Sequence, residues 1–256
     1  MTVELNKRRK RPAWHKLSVG RVRPLTEDSL EVTLAVPPEL REAFAFKPGQ
    51  HITFQRVEDD GSEVRRSYSL ASTPRELAED GTLRLGIKFI PQGSFSAYAK
   101  ASLAPGDVLE VLPPLGVFCT EPDPARHYGA IVAGSGITPI LSIAAAALDA
   151  GATVTVLYSN RTGESTMFAE ELAELERRHG ERFRLHHVRT RSEGASPLLT
   201  GRLTPERLRE VLAGLVDPAE IDEWFLCGPY EMVLGVKEVL ETAGAAEIHT
   251  ELYYVD

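Results

Sequence analysis

The stretch Tyr128-Gly129-Ala130-Ile131-Val132-Ala133-Gly134-Ser135-Gly136-Ile137-Thr138-Pro139 decides how the second half of the chain folds. Its first six residues are an unbroken run with no polar alternation, the pattern of a strand buried on both faces. The glycines that follow let the backbone turn sharply and come close to a ligand. Pro139 suits the first turn of a helix, where its missing N–H costs nothing, and that helix runs to about Ala150. A strand that passes through glycines into a helix start presents free backbone N–H groups, which can bind a pyrophosphate. Taken alone, such a loop reads equally as a plain tight turn, so its meaning depends on its surroundings.

Downstream, strands and helices alternate. Strands are read over Thr153–Tyr158, Arg182–Val188, Glu223–Cys227 and Glu247–Tyr253. Helices fall between them: Phe168–His179, with Phe168, Leu172 and Leu175 on one face; Thr204–Leu215, capped by Thr204; and Tyr230–Ala243. This is the pattern of an α/β domain, a doubly wound, mostly parallel sheet. Ligands of such sheets collect outside the carboxyl ends of the strands. Cys227-Gly228-Pro229 ends one of them, although a cysteine there also reads as a small core residue.

Upstream, the residues read as β. Short strands are expected over His15–Val22, Leu30–Val36, His51–Val57, Arg66–Leu70, Leu83–Ile90 and Val108–Leu112, with one short helix from Ser94–Ser96 to Ala101. Their turns and spacing suggest a small antiparallel β-barrel. In Arg66-Ser67-Tyr68-Ser69, period two puts Arg66 and Tyr68 on one face. A cation there can pair with phosphate and an aromatic ring can cover a flat one, though an ordinary strand gives the same pattern. The expected organisation is a basic disordered tail over 1–14, a barrel over 15–119, a linker over 120–126 and the α/β domain over 127–256.

Composition sets limits on function. With 43% hydrophobic and 26% charged residues in 256, the chain is that of a soluble globular protein. No apolar run is long enough to span a bilayer, and no apolar stretch follows the basic N-terminus as in a secretory leader. A cytoplasmic setting without membrane contact is expected. Two cysteines, Cys119 and Cys227, make neither a disulfide framework nor a four-thiolate iron–sulfur cluster. Lys7, Arg8, Arg9, Lys10 and Arg11 form a basic block, but the rest of this chain of net charge −8 is acidic, so no nucleic-acid partner is expected. The seven histidines show no ligand spacing, and neighbours His186 and His187 would point to opposite strand faces, so no metal site is expected.

Read in order, Arg66-x-Tyr68-Ser69, Gly93-x-Phe95-Ser96, Pro114-x-Gly116-x-Phe118, Gly134-x-Gly136-x-x-Pro139, Cys227-Gly228-Pro229 and Glu251-x-Tyr253 resemble the ferredoxin–NADP reductase superfamily, from about His15 to Asp256. Phe46-Lys-Pro-Gly-Gln-His51, Gly93-Ser-Phe-Ser-Ala-Tyr-Ala99, Tyr158-Ser-Asn-Arg-Thr162 and Gly201-Arg-Leu203 are most similar to its oxygenase-reductase branch, the reductase component of phenylacetyl-CoA epoxidase in particular. The resemblance implies an FAD-binding barrel followed by an NAD(P)-binding domain. It implies that Arg66 holds the FAD pyrophosphate, Tyr68 packs on the isoalloxazine ring and Ser69 hydrogen-bonds near flavin N5. Gly93, Phe95 and Ser96 would meet the FAD phosphates, with Lys88 also among the cofactor-binding residues. Gly134, Gly136 and Thr138 would cradle the nicotinamide dinucleotide, and Cys227, with Gly228 and Pro229, would face its ring. Glu251 and Tyr253 would lie by the other flavin face, completing a catalytic set with Ser69 and Cys227.

The implied reaction is hydride transfer from NADPH or NADH to FAD, then single-electron transfer to a 2Fe–2S centre serving an oxygenase such as phenylacetyl-CoA epoxidase. A stand-alone flavin or ferredoxin reductase is the alternative; a non-catalytic dinucleotide-binding regulatory module is a third reading. Close relatives continue into a C-terminal ferredoxin domain with four cysteine ligands, whereas this sequence stops at Tyr254-Val255-Asp256. The iron–sulfur partner is therefore expected in trans or in a missing C-terminal domain, with oxygenase subunits as further partners. A 2′-phosphate calls for forked cationic donors and a free ribose for a carboxylate. Arg161 follows the second parallel strand and Arg189 and Arg191 the third, while Glu164 is the nearest acid. NADPH is favoured, with Arg161 and Arg191 as its readers; ordinary solvated arginines are the other reading.

Overall fold

The computed structural model describes residues 13–58, 60–91 and 93–253; all but the last two residues of the expected basic tail fall outside them. Strands β1 (His15–Thr26), β2 (Ser29–Ala35), β3 (His51–Val57), β4 (Glu63–Ser69), β5 (Thr82–Lys88) and β6 (Val108–Leu115) form a six-stranded antiparallel sheet in the order β4-β3-β6-β1-β2-β5. Leu70 bridges Leu85, and Ala71 N–H donates to Arg84 O at 2.7 Å, so the two outer strands meet and the sheet closes into a barrel. Alternation sends Ile52 and Phe54 of β3 inward while His51, Thr53 and Gln55 face out. Helix α2 (Ser94–Ala101) buries Phe95, which stacks on Phe54 with ring centroids 5.0 Å apart.

Two local features depart from the sequence reading. Ser72-Thr73-Pro74 does not merely end a strand; it opens helix α1 (Pro74–Asp80). Thr73 Oγ1 accepts from Glu76 N–H while the Glu76 carboxylate accepts from Thr73 N–H, and Gly81, at φ 68°, ends the helix. Strand β6 runs through Pro113 and Pro114, where its pairing with β3 shifts register and a ladder N–H is not needed.

In the second half, β7 (His127–Ala133), β8 (Thr153–Asn160), β9 (Phe183–Arg189), β10 (Glu223–Pro229) and β11 (Ile248–Tyr253) form a five-stranded parallel sheet in the order β11-β10-β7-β8-β9. Ala130, Val132, Val156, Phe225 and Cys227 pack on one face with helices α3 (Ile137–Ala150) and α4 (Ala169–His179). Ile131, Leu157, Trp224 and Leu226 pack on the other with α5 (Pro205–Leu215) and α6 (Tyr230–Thr242). From β7 the chain winds outward to β8 and β9, then returns to β10 on the other side. The crevice between β7 and β10 is thus the switch point where such sheets bind ligands.

The barrel is fixed against this sheet. A Cβ on Gly86 of β5 would lie 2.8 Å from Met167 Cε and 2.9 Å from Phe168 Cε2. Phe168 is not the first residue of α4; it sits just before it in the left-handed region at φ 57°, fully buried. Ser142 Oγ donates to Ser72 O at 2.6 Å across the junction. Arg23 of β1 pairs with buried Glu31 and reaches Glu170 and Glu171 of α4.

Candidate active site at the junction of the two sheets

Pairing of β3 with β4 sets Ser69 opposite His51, and pairing of β10 with β11 sets Cys227 opposite Glu251. The two pairs meet. Ser69 Oγ donates to Glu251 Oε2 at 3.2 Å, and Cys227 Sγ lies 4.0 Å from the same oxygen. His51 Nδ1 lies 4.0 Å from Glu251 Oε1. One carboxylate therefore faces a hydroxyl and an imidazole from the barrel and a thiol from the α/β domain. The sequence reading had His51 as the first residue of a strand and the last of the Phe46–His51 stretch that carries the resemblance, without a place in the site; pairing sets it opposite Ser69.

Burial pushes the Glu251 carboxyl above its ordinary value, against the hydrogen bond from Ser69. Burial, reinforced by the charge of Glu251, pushes the Cys227 thiol well above its ordinary value, so Cys227 stays protonated and is no nucleophile. Burial pushes His51 down. Such a set of donors around a half-buried carboxyl can orient a flat polar ring, without covalent chemistry.

The glycine loop lies beside these groups. Gly134 is at φ 52°, and its carbonyl accepts from Tyr158 OH at 2.9 Å. A Cβ on Gly136 would run into the Cys227 carbonyl, so this glycine is required by close approach of loop to strand. The sequence reading gave the glycines a sharp turn and ligand approach; contact with a distant strand is a further demand on Gly136. Tyr253 is brought to this loop: its OH donates to Ala133 O and accepts from Gly136 N–H at 3.3 Å. Thr138 is buried and donates to Ser135 O at 2.8 Å, so its hydroxyl holds the loop rather than reaching out of it. No side chain caps α3; at its start Ile137 N–H donates to the Gly134 and Ser135 carbonyls, so the loop closes on itself as a tight turn leading into the helix. Gly228 and Pro229 end β10 at the same edge, Pro229 exposed.

On the barrel side, the half-buried Tyr68 ring sits 5.6 Å from Phe95 and 5.8 Å from Phe54. Burial pushes its phenol up to about 12, so it remains neutral. Arg66 is exposed, with its guanidinium donating to Arg65 O at 2.8 Å. Gly93 caps α2 without a side-chain bond, and Ser96 Oγ accepts from Ile90 N–H and donates to Gly93 O, both at 3.2 Å. Phe95 and Ser96 are buried, so it is the backbone of this first turn, not their side chains, that can meet phosphates. Lys88 Nζ is held by Asp28 at 2.8 Å, and a phosphate ligand would share that contact. An exposed cation, a helix start without a side-chain cap and a neutral aromatic face together fit a flavin dinucleotide.

At the carboxyl edge the β8–β9 ladder continues: Thr190 N–H donates to Asn160 O and Arg191 N–H to Arg161 O, both at 2.9 Å. Arg161 and Arg191 are thereby neighbours. Arg189 donates to Thr166 Oγ1 at 2.8 Å and Thr162 O at 3.3 Å, which makes it a staple of the 162–166 loop. At the opposite, amino edge, Glu223, Glu247 and His249 gather, a grouping the sequence spacing did not reveal. Arg126 Nη1 lies 2.9 Å from Glu223 Oε2 and 3.1 Å from Glu247 Oε2, so one guanidinium pairs with both carboxylates.

Residues 17–119 match the family described as oxidoreductase FAD-binding domain, and residues 130–238 the oxidoreductase NAD-binding domain. The chain is 37% identical over 246 residues to a component of 1,2-phenylacetyl-CoA epoxidase from Escherichia coli, covering 94% of this chain and 68% of that one. It is 36% identical over 240 residues to the ferredoxin reductase component of 3-ketosteroid-9-alpha-monooxygenase from Rhodococcus rhodochrous, covering 93% of this chain and 64% of that one. Among solved structures it is similar to the cytochrome P450 reductase of Amycolatopsis (TM-score 0.77, 25% identity, 95% and 71% of the two chains). In fold it also resembles a ferredoxin NADP+ reductase from Neisseria gonorrhoeae with bound FAD and NADP (TM-score 0.76, 24% identity, 94% and 99%).

Proposed function

Because the chain belongs to the FAD- and NAD-binding oxidoreductases of the ferredoxin-reductase type, we propose that the junction described above is where it passes reducing equivalents from a nicotinamide dinucleotide to FAD. The observation that carries this reading is the meeting of Ser69 and Cys227, from separate sheets, on one Glu251 carboxylate. A site assembled from both halves suits a reaction between two cofactors, each held by its own half.

FAD, when bound, supplies an acceptor for electron pairs and a donor of single electrons. The chain's own residues align and shield. Arg66 and the first turn of α2 would hold the pyrophosphate of FAD, with Lys88 near it, and Tyr68 would cover its ring. Gly134, Gly136 and the start of α3 would hold the dinucleotide, while Cys227, small and neutral, would leave room for a flat ring beside Gly228 and Pro229. Ser69 Oγ donates toward Glu251 Oε2, and burial raises the affinity of that carboxyl for protons, so the pair would orient the polar edge of a ring placed beside it. Tyr253 keeps the glycine loop in place.

NADPH is the proposed donor, supported by the juxtaposed Arg161 and Arg191, with NADH as the second. The proposed acceptor is a 2Fe–2S domain or protein of a cytoplasmic oxygenase system such as phenylacetyl-CoA epoxidase. The names of the two relatives, parts of multicomponent oxygenases, support this. A stand-alone flavin or ferredoxin reductase is the second reading. The test is reduction of a plant-type 2Fe–2S ferredoxin by NADPH through the FAD-reconstituted protein. Reduction of the ferredoxin is expected; reduction of free flavin alone would favour the stand-alone reading, and no reduction of either would sink the proposal.

A further inference from the structure

The turn between β1 and β2 carries a carboxylate that faces both halves of the molecule. Asp28 Oδ1 accepts from Lys88 Nζ at 2.8 Å and from Thr26 Oγ1 at 2.9 Å. Asp28 O accepts from Phe89 N–H at 2.8 Å, which fixes the turn itself. Its other carboxylate oxygen, Oδ2, lies 3.9 Å from Arg161 Nη2, at the carboxyl end of β8. Partial burial raises its affinity for protons, but the hydrogen bonds of Lys88 and Thr26 and the charges of Lys88 and Arg161 outweigh this and hold it below its ordinary value. Asp28 is therefore ionised and pinned, and it is a counter-ion to Arg161 supplied by the other domain.

The position matters because the end of the second strand is where α/β dinucleotide sites tell one ribose from another. An arginine there favours a 2′-phosphate; a carboxylate there favours a free 2′-hydroxyl and repels the phosphate. Here the arginine belongs to the strand end and the carboxylate comes from the barrel. We propose that Asp28 is a specificity-determining residue that competes with the 2′-phosphate for Arg161, so that the chain separates NADPH from NADH only weakly. This rests on the reductase reading above. Arg161 keeps more than half of its side chain exposed, at 56%, so it can serve a nucleotide from its open side while its other side remains paired. A phosphate, which is an anion, must share the guanidinium with a carboxylate; a hydroxyl has no such conflict.

The experiment uses the FAD-loaded full chain as wild type, D28N, R161A and the double variant, and measures kcat/KM for NADPH and NADH. Removing one like charge a few ångströms from the phosphate is expected to raise the NADPH:NADH ratio about tenfold in D28N. In the R161A background the same substitution is expected to leave the ratio where R161A sets it, since the effect runs through that arginine. The non-reacting probes 2′-AMP and 5′-AMP, titrated calorimetrically, should shift in the same direction. If D28N lowers the melting temperature, Asp28→Ser provides the second test. An unchanged or falling ratio in D28N, or an equal rise without Arg161, would overturn the assignment. Should the wild type oxidise neither nucleotide, the reductase reading fails, and the 2′-AMP to 5′-AMP ratio still judges Asp28 by itself.

Discussion

Glu251 holds its place because a hydroxyl from one domain and a thiol from the other both address the same oxygen. Removing the hydroxyl leaves a half-buried carboxyl with one fewer donor and takes away its hydrogen bond to the barrel. Ser69→Ala is expected to slow reduction of bound flavin by NADPH about 100-fold, as lost general acid–base or orienting groups do; stopped-flow absorbance measures it. Arg66→Ala removes an exposed charged donor, and charge-assisted hydrogen bonds contribute about 1.5–3 kcal/mol, so FAD affinity should fall about 10- to 100-fold in a fluorescence titration. Some of these residues were legible in the sequence because short motifs carry them: Arg66, Tyr68 and Ser69 share one short strand segment, and Cys227 heads Cys-Gly-Pro. His51 was not, because its role depends on strand pairing that sets it against Ser69. Nor was the true demand on Gly136, a backbone collision with a strand that lies far along the chain.

Among elements, the glycine loop and the capped helix α1 show how local signals become structure. Gly136→Ala should destabilise the fold by about 1–3 kcal/mol, since loop or strand must shift to admit the methyl group. The denaturant midpoint should fall, and nucleotide affinity with it. Thr73→Ala should cost about 1 kcal/mol through loss of the capping box, with little effect on flavin reduction. The alternation of strand and helix after Tyr128 was legible because Tyr128–Ala133 of β7 runs without a polar break, β8 is rich in β-branched residues, and the segments between strands carry helical apolar spacing. Helix α1 went unread although Thr73-Pro74-Arg75-Glu76 spells its cap, because seven residues are too few for a helical period to emerge. The start of α4 was misplaced because Phe168 has helical apolar spacing but is held outside the helix, where it packs against Gly86.

On the scale of the whole molecule, the two domains meet through Gly86 and Phe168, Ser72 and Ser142, and the ion pairs of Arg23, so the site depends on their fixed relation. None of these contacts has a motif, and no reading of either half by itself contains them. The molecule should also be acid-labile. Burial, with the charges of Arg189 and His186, holds His187 down to about 4, against an ordinary value of 6.5. His51, His127, His179 and His186 are depressed as well, burial being the first cause of each. In that window the unfolded chain binds more protons than the folded one, so stability is lost as pH falls from 6.5 toward 4. Urea midpoints at neutral and mildly acid pH check this, and a midpoint that rose on acidification would contradict it.

The central claim, that both halves build one site for passing electrons from nucleotide to flavin, is tested most directly by anaerobic titration of the FAD-loaded protein with NADPH while the visible spectrum is followed. Stoichiometric bleaching of the bound flavin is expected. Flavin that stays bound and oxidised in the presence of excess NADPH and NADH would contradict the claim.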